Sequence, residues 1–208
     1  LASALKGSNV TANLIKDRTR PTSIKIRYVA GNQQMLRADW ETGAPLAGKI
    51  GDAVLKAALK AIGKCDAMVL SDYDKGVLGD GRAAKLIAIA RAAKKPVIVD
   101  PKGSDYRRYR GADAVTPNKK ELRQAAGGDA RTDKEITAAA RMLIKAHKFG
   151  AVLVTRSADG MTLVQGNGKP LHLAAETREV FDVSGAGDTV VATIAAAIAA
   201  GAELAEAA

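Results

Sequence analysis

The spacing of hydrophobic positions along the chain changes several times, and each change marks an element. Ser23 to Tyr28 alternates around Ile24 and Ile26, Gly31-Asn32 offers a turn, and Met35 to Trp40 resumes the alternation, which predicts a β-hairpin. From Ile50 to Ile62 the period lengthens, and Ile50, Val54, Leu55, Ala58, Leu59 and Ile62 share one helical face. Ala67-Met68-Val69-Leu70 is a short apolar strand, Gly81 to Ala93 returns to helical spacing, and Pro96 to Asp100 is a second buried strand. Strand, helix, strand predicts a parallel crossover. The pattern then repeats: Ala114 to Thr116 reads as a strand, Asn118 to Ala126 and Asp133 to His147 as helices, and Ala151 to Thr155 as a strand. Met161 to Val164 and Leu171 to Ala174 predict an antiparallel pair around Gly166 to Gly168, ahead of a glycine turn and a final Ala-rich helix. The expected fold class is α/β: a central, mainly parallel sheet flanked by helices, with a small β-hairpin appended.

Composition narrows what such a domain can do. The 208 residues suit one well-buried domain, and 47% hydrophobic with 26% charged residues excludes disorder as the default. The single Cys65 rules out an internal disulfide framework and a cysteine zinc cluster, which fits a reducing, cytoplasmic setting. The most apolar stretch, Val190 to Ala200, is too short to span a bilayer, so no membrane is expected as partner. The net charge of +10 raises the question of nucleic acid, but the basic clusters (Lys94-Lys95, Arg107-Arg108, Lys119-Lys120) are short and scattered. With only 3% aromatic residues the chain lacks a stacking platform for single strands, so a small anionic substrate accounts better for the charge that is not merely solvated.

The densest chemical signal is Phe181-Asp182-Val183-Ser184-Gly185-Ala186-Gly187-Asp188-Thr189. Gly185 and Gly187 let the backbone turn sharply and approach a ligand, and a helix starting near Ala186 would aim its unpaired N–H groups, with the positive end of its dipole, at the same point. Asp188 in the first turn is placed to take a proton from a hydroxyl attacking a phosphate held there. A plainer reading stands beside it, in which Gly-Ala-Gly is a tight turn and Asp188 complements the dipole of the helix N-terminus.

In open α/β sheets, ligands gather beyond the carboxyl ends of parallel strands. Four predicted strands end there in polar loops: Ser71-Asp72-Tyr73-Asp74-Lys75-Gly76, Asp100-Pro101-Lys102-Gly103, Thr116-Pro117-Asn118-Lys119-Lys120-Glu121, and Thr155-Arg156-Ser157-Ala158-Asp159-Gly160. Each alone is ordinary turn chemistry; their coincidence at one sheet edge is not. Asn118 and Glu121, one turn apart at a helix start, read either as a capping box or as two groups reaching one ligand. His147 and His172 have no metal-binding companions in the sequence and read as structural or surface residues.

Taken in order, Leu70 to Gly76, Asp100 to Gly103, Thr116 to Glu121 and Asp182 to Asp188 resemble the motifs of the ribokinase-like (PfkB) carbohydrate kinases. Arg20-Pro21-Thr22, Gly31-Asn32-Gln33-Gln34-Met35-Leu36-Arg37, Tyr106 to Gly111 and Val154 to Ser157 are similar to their heptose 7-phosphate kinase branch, active in ADP-heptose and lipopolysaccharide core biosynthesis. The resemblance runs nearly the whole length. It implies transfer of the ATP γ-phosphoryl group to the anomeric hydroxyl of D-glycero-β-D-manno-heptose 7-phosphate, giving the 1,7-bisphosphate.

By the same resemblance, Asp188 would be the general base and the N–H groups of Gly185, Ala186 and Gly187 would stabilise the phosphoryl oxygens. Asn118, Lys119, Lys120, Glu121, Ser157 and Gly160 would serve ATP, with Asn118 and Glu121 organising Mg²⁺ through water or phosphate. Asn32, Gln33, Arg37, Asp72, Lys75 and Lys102 would meet the sugar phosphate, although a loop lysine is ordinarily just solvated. Residues 19–42 would form a lid that also joins two copies into a homodimer, and residues 49–208 the α/β core. The family's Gly-Gly-x-x-Asn signature is missing ahead of Leu1, and the chain stops soon after the last helix at Ala208. An incomplete kinase domain is therefore expected, lacking part of the sugar site and the C-terminal end. Two alternatives remain: a related kinase for another phosphosugar, and a catalytically silent basic binding module.

Overall fold

The computed structural model describes residues 5, 7–8, 10–31, 33–166, 168–175 and 185–208. Asn32 and the Phe181 to Ser184 part of the glycine motif lie outside the described residues.

Strands β1 (Ile24–Ala30) and β2 (Gln33–Trp40) form the predicted hairpin, with a bulge that makes Met35 the extra residue. Helix α1 (Gly48–Ala61) leads into β3 (Met68–Ser71), α2 (Arg82–Ala92), β4 (Val97–Asp100) and β5 (Ala114–Val115). Helices α3 (Lys119–Ala126) and α4 (Asp133–His147) precede β6 (Ala151–Thr155), β7 (Met161–Gln165) and β8 (Leu171–Leu173). The described chain closes with α5 (Ala186–Ala199) and the short α6 (Leu204–Ala207).

The main sheet has the order β3-β4-β5-β6-β7-β8. β3 to β6 run parallel, and β7 and β8 fold back antiparallel. Period-two alternation sends Val97, Val99, Val115, Val152 and Val154 to one face, where Leu86 and Ile87 of α2 and Ile136 and Leu143 of α4 cover them. Ile98, Ala114, Ala151 and Leu153 point the other way, onto Val191, Ile194 and Ala195 of α5. Burial on both faces explains why these strands read as continuous apolar runs.

One feature was not legible beforehand. Tyr106–Tyr109 forms a 3₁₀ turn whose two tyrosines are buried edge to face, ring centroids 5.7 Å apart. The hairpin, by contrast, is exposed on every described residue. Register places Ile24, Ile26, Tyr28, Leu36, Ala38 and Trp40 on one of its faces, while Lys25, Arg37 and Asp39 occupy the other, joined by ion pairs of 3.3 and 2.9 Å. Among the described residues no helix is long and apolar enough to cross a membrane.

Candidate active site

The strand-end loops gather at the carboxyl edge of β3 to β6: the loop after β3 reaches the N-terminus of α5 through Tyr73 and Asp188, the loop after β4 meets the start of α3 through Lys102 and Glu121, and Asn118 bridges to Thr155 at the end of β6. Gly185 occupies the left-handed region (φ 81°, ψ 0°), accepts the first intrahelical bond from the Thr189 N–H at 2.9 Å and also takes the Thr189 hydroxyl at 3.0 Å. Among the described residues no side chain caps this end of α5. A Cβ built on Gly187 meets nothing within 4 Å among the described residues, and its φ is not positive. Nothing described in the chain therefore requires glycine at 187; close approach of a ligand would. The opening suits a phosphate, and Asp188 projects from its first turn with Oδ1 accepting from the Tyr73 hydroxyl at 3.0 Å.

Below this point lies a carboxylate group. Asp100, the last residue of β4, is half-buried; burial first, then the charges of Glu121 and Asp188, push its carboxyl up to about 6. Glu121 is only 7% exposed. Its Oε2 accepts from the Asn118 N–H at 3.0 Å while Asn118 Oδ1 accepts from the Glu121 N–H at 2.9 Å, so the capping box is real. Its Oε1 takes the Lys102 ammonium at 2.6 Å. Lys102 thus neutralises a buried carboxylate that would otherwise be costly, and it keeps half its side chain exposed toward the site.

In the loop after β3 the expected substrate residues are engaged with other parts of the protein. Asp72, expected to contact substrate, is buried, with Oδ2 accepting from the Tyr109 hydroxyl at 2.5 Å and pairing with Arg108 at 3.2 Å. Its Oδ1 takes the Asp74 N–H at 2.8 Å, in a turn where Asp74 has φ 55°. These contacts make Asp72 a brace of the loop. Burial and Asp72 together push the Tyr109 phenol well above its usual range, which keeps it protonated and donating. Lys75 pairs with Glu41 at the base of the hairpin. Arg20 completes that junction by donating to the carbonyls of Thr42, Ala44 and Lys75 at 3.1, 2.9 and 2.9 Å. The loop that borders Asp188 is thereby tied to the hairpin.

Lys119 bridges to Asp159 at 2.7 Å, joining α3 to the 3₁₀ turn Ser157–Asp159, and Lys120 is exposed. Ser157 has a left-handed φ of 55° and Gly160 a φ of 77° with ψ −130°. A Cβ on Gly160 would collide with the backbone of Leu173 to Ala175. The close approach Gly160 was expected to give the nucleotide is one the chain itself uses. Gln33 and Arg37 stand on β2; Arg37 pairs with Asp39, and among the described residues neither bonds to the strand-end loops.

Sequence reading passed over Asp100 and Tyr73, although both lay inside motifs it had marked. The available signals were a carboxylate as the last residue of a buried strand, and a tyrosine between two aspartates at a strand end.

A carboxylate on the first turn of a helix, with acidic and basic groups brought beside it from successive strand ends, is the kind of arrangement that phosphoryl transfer on an α/β sheet calls for. The profile of the pfkB family carbohydrate kinases matches residues 1–208, and the chain belongs to that family. It is 55% identical over 195 residues to the Bifunctional protein HldE of Paramagnetospirillum magneticum, covering 94% of this chain and 40% of that protein. It is 56% identical over 186 residues to the HldE of Rhodospirillum rubrum, covering 89% and 38%. The chain thus spans about two fifths of the length of these curated relatives. The tetrameric inhibited form of phosphofructokinase-2 from Escherichia coli superposes with a TM-score of 0.78 at 20% identity, over 99% of this chain and 68% of that one. An Arabidopsis thaliana ribokinase complexed with ribose and ATP gives 0.63 at 22%, over 83% and 55%. These structural likenesses establish the shared fold.

Proposed function

We propose that this chain is the kinase part of a heptose 7-phosphate kinase, transferring the ATP γ-phosphoryl group to the anomeric hydroxyl of D-glycero-β-D-manno-heptose 7-phosphate. The observation that carries the chemistry is Asp188 on the first turn of α5, beside the glycines Gly185 and Gly187, where a Cβ meets nothing within 4 Å among the described residues. The heptose branch rests on the hairpin and Asp-Tyr-Asp-Lys-Gly motifs, and its support is the identity of about one half to the HldE proteins.

In this reading Asp188 accepts the proton of the sugar hydroxyl as the new O–P bond forms and the bond to the ADP oxygen breaks. The N–H groups at the start of α5 and the helix dipole stabilise the charge on the transferring oxygens. Asn118, Glu121 and the newly found Asp100 would hold Mg²⁺ through water and phosphate, since that ion keeps most of its hydration. When bound, it neutralises charge on the phosphates. Ser157 and the Lys119–Asp159 bridge would border the nucleotide. Sugar-phosphate contacts fall to Lys102, Gln33, Arg37 and Asn32, the last outside the described residues.

The hairpin would close over the sugar and pair with that of a second copy. Its apolar face supports this: Ile24, Ile26, Tyr28, Leu36 and Trp40 are 48 to 72% exposed. Covering each such side chain is worth roughly 1.5–3 kcal/mol, and a two-stranded ribbon left alone is marginal. A cytoplasmic setting accords with the lone exposed Cys65.

The test is Mg-ATP-dependent phosphorylation of the heptose 7-phosphate by the native-length protein, beside fructose and ribose phosphates and beside Asp188→Asn. Heptose preference with kcat lowered about 10²–10⁴-fold in the variant is expected. Preference for another sugar phosphate would keep the mechanism and change the substrate. Absence of transfer by folded protein would leave the silent binding module.

A further inference from the structure

We propose that Tyr73 is a positioning residue for phosphoryl transfer, its hydroxyl locking the Asp188 carboxylate in the orientation from which it takes the sugar proton. The inference rests on the kinase reading and deepens it. Asp188 is solvent-exposed on the first turn of a helix, where a short carboxylate has several rotamers within reach. The hydrogen bond the structure gives it crosses 115 residues of sequence, from the loop after β3 to the start of α5, at 3.0 Å. It engages Oδ1, and among the described residues Oδ2 has no partner, so it can face the acceptor hydroxyl.

Tyr73 is itself held at the backbone, which is what a positioning group needs. On one side Asp72 is buried against Tyr109 (2.5 Å) and Arg108 (3.2 Å); on the other Asp74 closes the turn through its N–H. The ring gains little from packing, being 56% exposed, so burial does not explain a tyrosine at this place. Phenylalanine would serve the ring's few contacts equally well, and only the hydroxyl reaches the carboxylate. Hydrogen bonding to Asp188 also pushes the Tyr73 phenol up from its usual range, so it remains a proton donor throughout neutral pH. Because Lys75 and Arg20 fasten the same loop to the hairpin base, the residue is anchored by the elements that would enclose the sugar.

The experiment compares wild type, Tyr73→Phe, Asp188→Asn and the double variant in the native-length protein, with steady-state kinetics for both substrates and a thermal melt. Tyr73→Phe is expected to lower kcat about tenfold while KM for ATP and for the sugar phosphate stays within about twofold and the melting temperature is unchanged. In the Asp188→Asn background, followed by single-turnover product formation over hours, the same change should cost nothing further, because the hydroxyl acts only through that carboxylate. A purely structural role would multiply the two losses and would appear in the melt. An unchanged kcat in Tyr73→Phe overturns the assignment. So does a raised sugar-phosphate KM with intact kcat, which would make Tyr73 a substrate contact. Wild-type turnover that depends on Asp188 but ignores Tyr73 sinks this inference alone; absence of wild-type turnover sinks the kinase reading with it.

Discussion

Asp100 offers a sharp test of the site's electrostatics, through the substitution Asp100→Asn. Its carboxyl is pushed from the ordinary value near 3.9 up to about 6, by burial first and then by Glu121 and Asp188. Between roughly pH 4 and 6 the folded protein therefore holds a proton that the unfolded chain has released, and stability falls as pH rises. Above about pH 6 the full penalty of an ionised Asp100 is present; below about pH 4 it is absent. A displacement of about two pH units corresponds to about 3 kcal/mol. Solvent reaches this half-buried group, so screening reduces the figure to about 1–2 kcal/mol. Asparagine keeps the shape and removes the charge, so at pH 8 the variant should be more stable by that amount, which for a chain of this size is about 2–8 °C in Tm. At pH 4 the two proteins should agree. Urea titrations at pH 4.5, 6 and 8, without nucleotide or divalent cation, measure the difference, with equal m values required for a two-state comparison. An advantage that does not change with pH, or a wild type more stable at pH 8, would refute the reasoning.

Other outcomes follow from contacts already described. Two glycine substitutions should separate folding from function: Gly160→Ala, which drives a Cβ into the β8 backbone at an unfavourable φ and ψ, should cost at least about 3 kcal/mol in denaturant melts, whereas Gly187→Ala should leave stability equal or higher by up to about 1 kcal/mol yet strongly reduce phosphoryl transfer. Equal melts for the two would contradict the distinction. If the hairpin pairs with a second copy as proposed, Ile26→Asp on its apolar face should shift the wild type's dimer mass to that of a monomer in light scattering without lowering the melting temperature of the core; a monomeric wild type, or an unchanged dimer in the variant, would refute that pairing.

Much of the fold was written in local patterns. The hairpin, the apolar strands from β3 to β6, the antiparallel β7 and β8 and the helices between them all follow from hydrophobic period and from turn and capping residues such as the Asn118–Glu121 and Thr132–Glu135 boxes. The sequence also marked Asp188 and the glycines before it, because a helix start that must accept an anion needs residues contiguous in the chain. Tertiary structure alone decided which polar residues of the strand-end loops face the site. Asp72 and Lys75 look like neighbours of Asp188 in composition, yet Tyr109, Arg108 and Glu41 claim them, all from elements 34 or more residues distant. Conversely Asp100 and Tyr73 owe their importance to charges and carboxylates brought across the sheet from Glu121 and Asp188. The physical reason is range. Backbone conformation and capping are set by residues a few positions apart, whereas the environment of a carboxylate depends on burial and on charges whose closeness only folding creates.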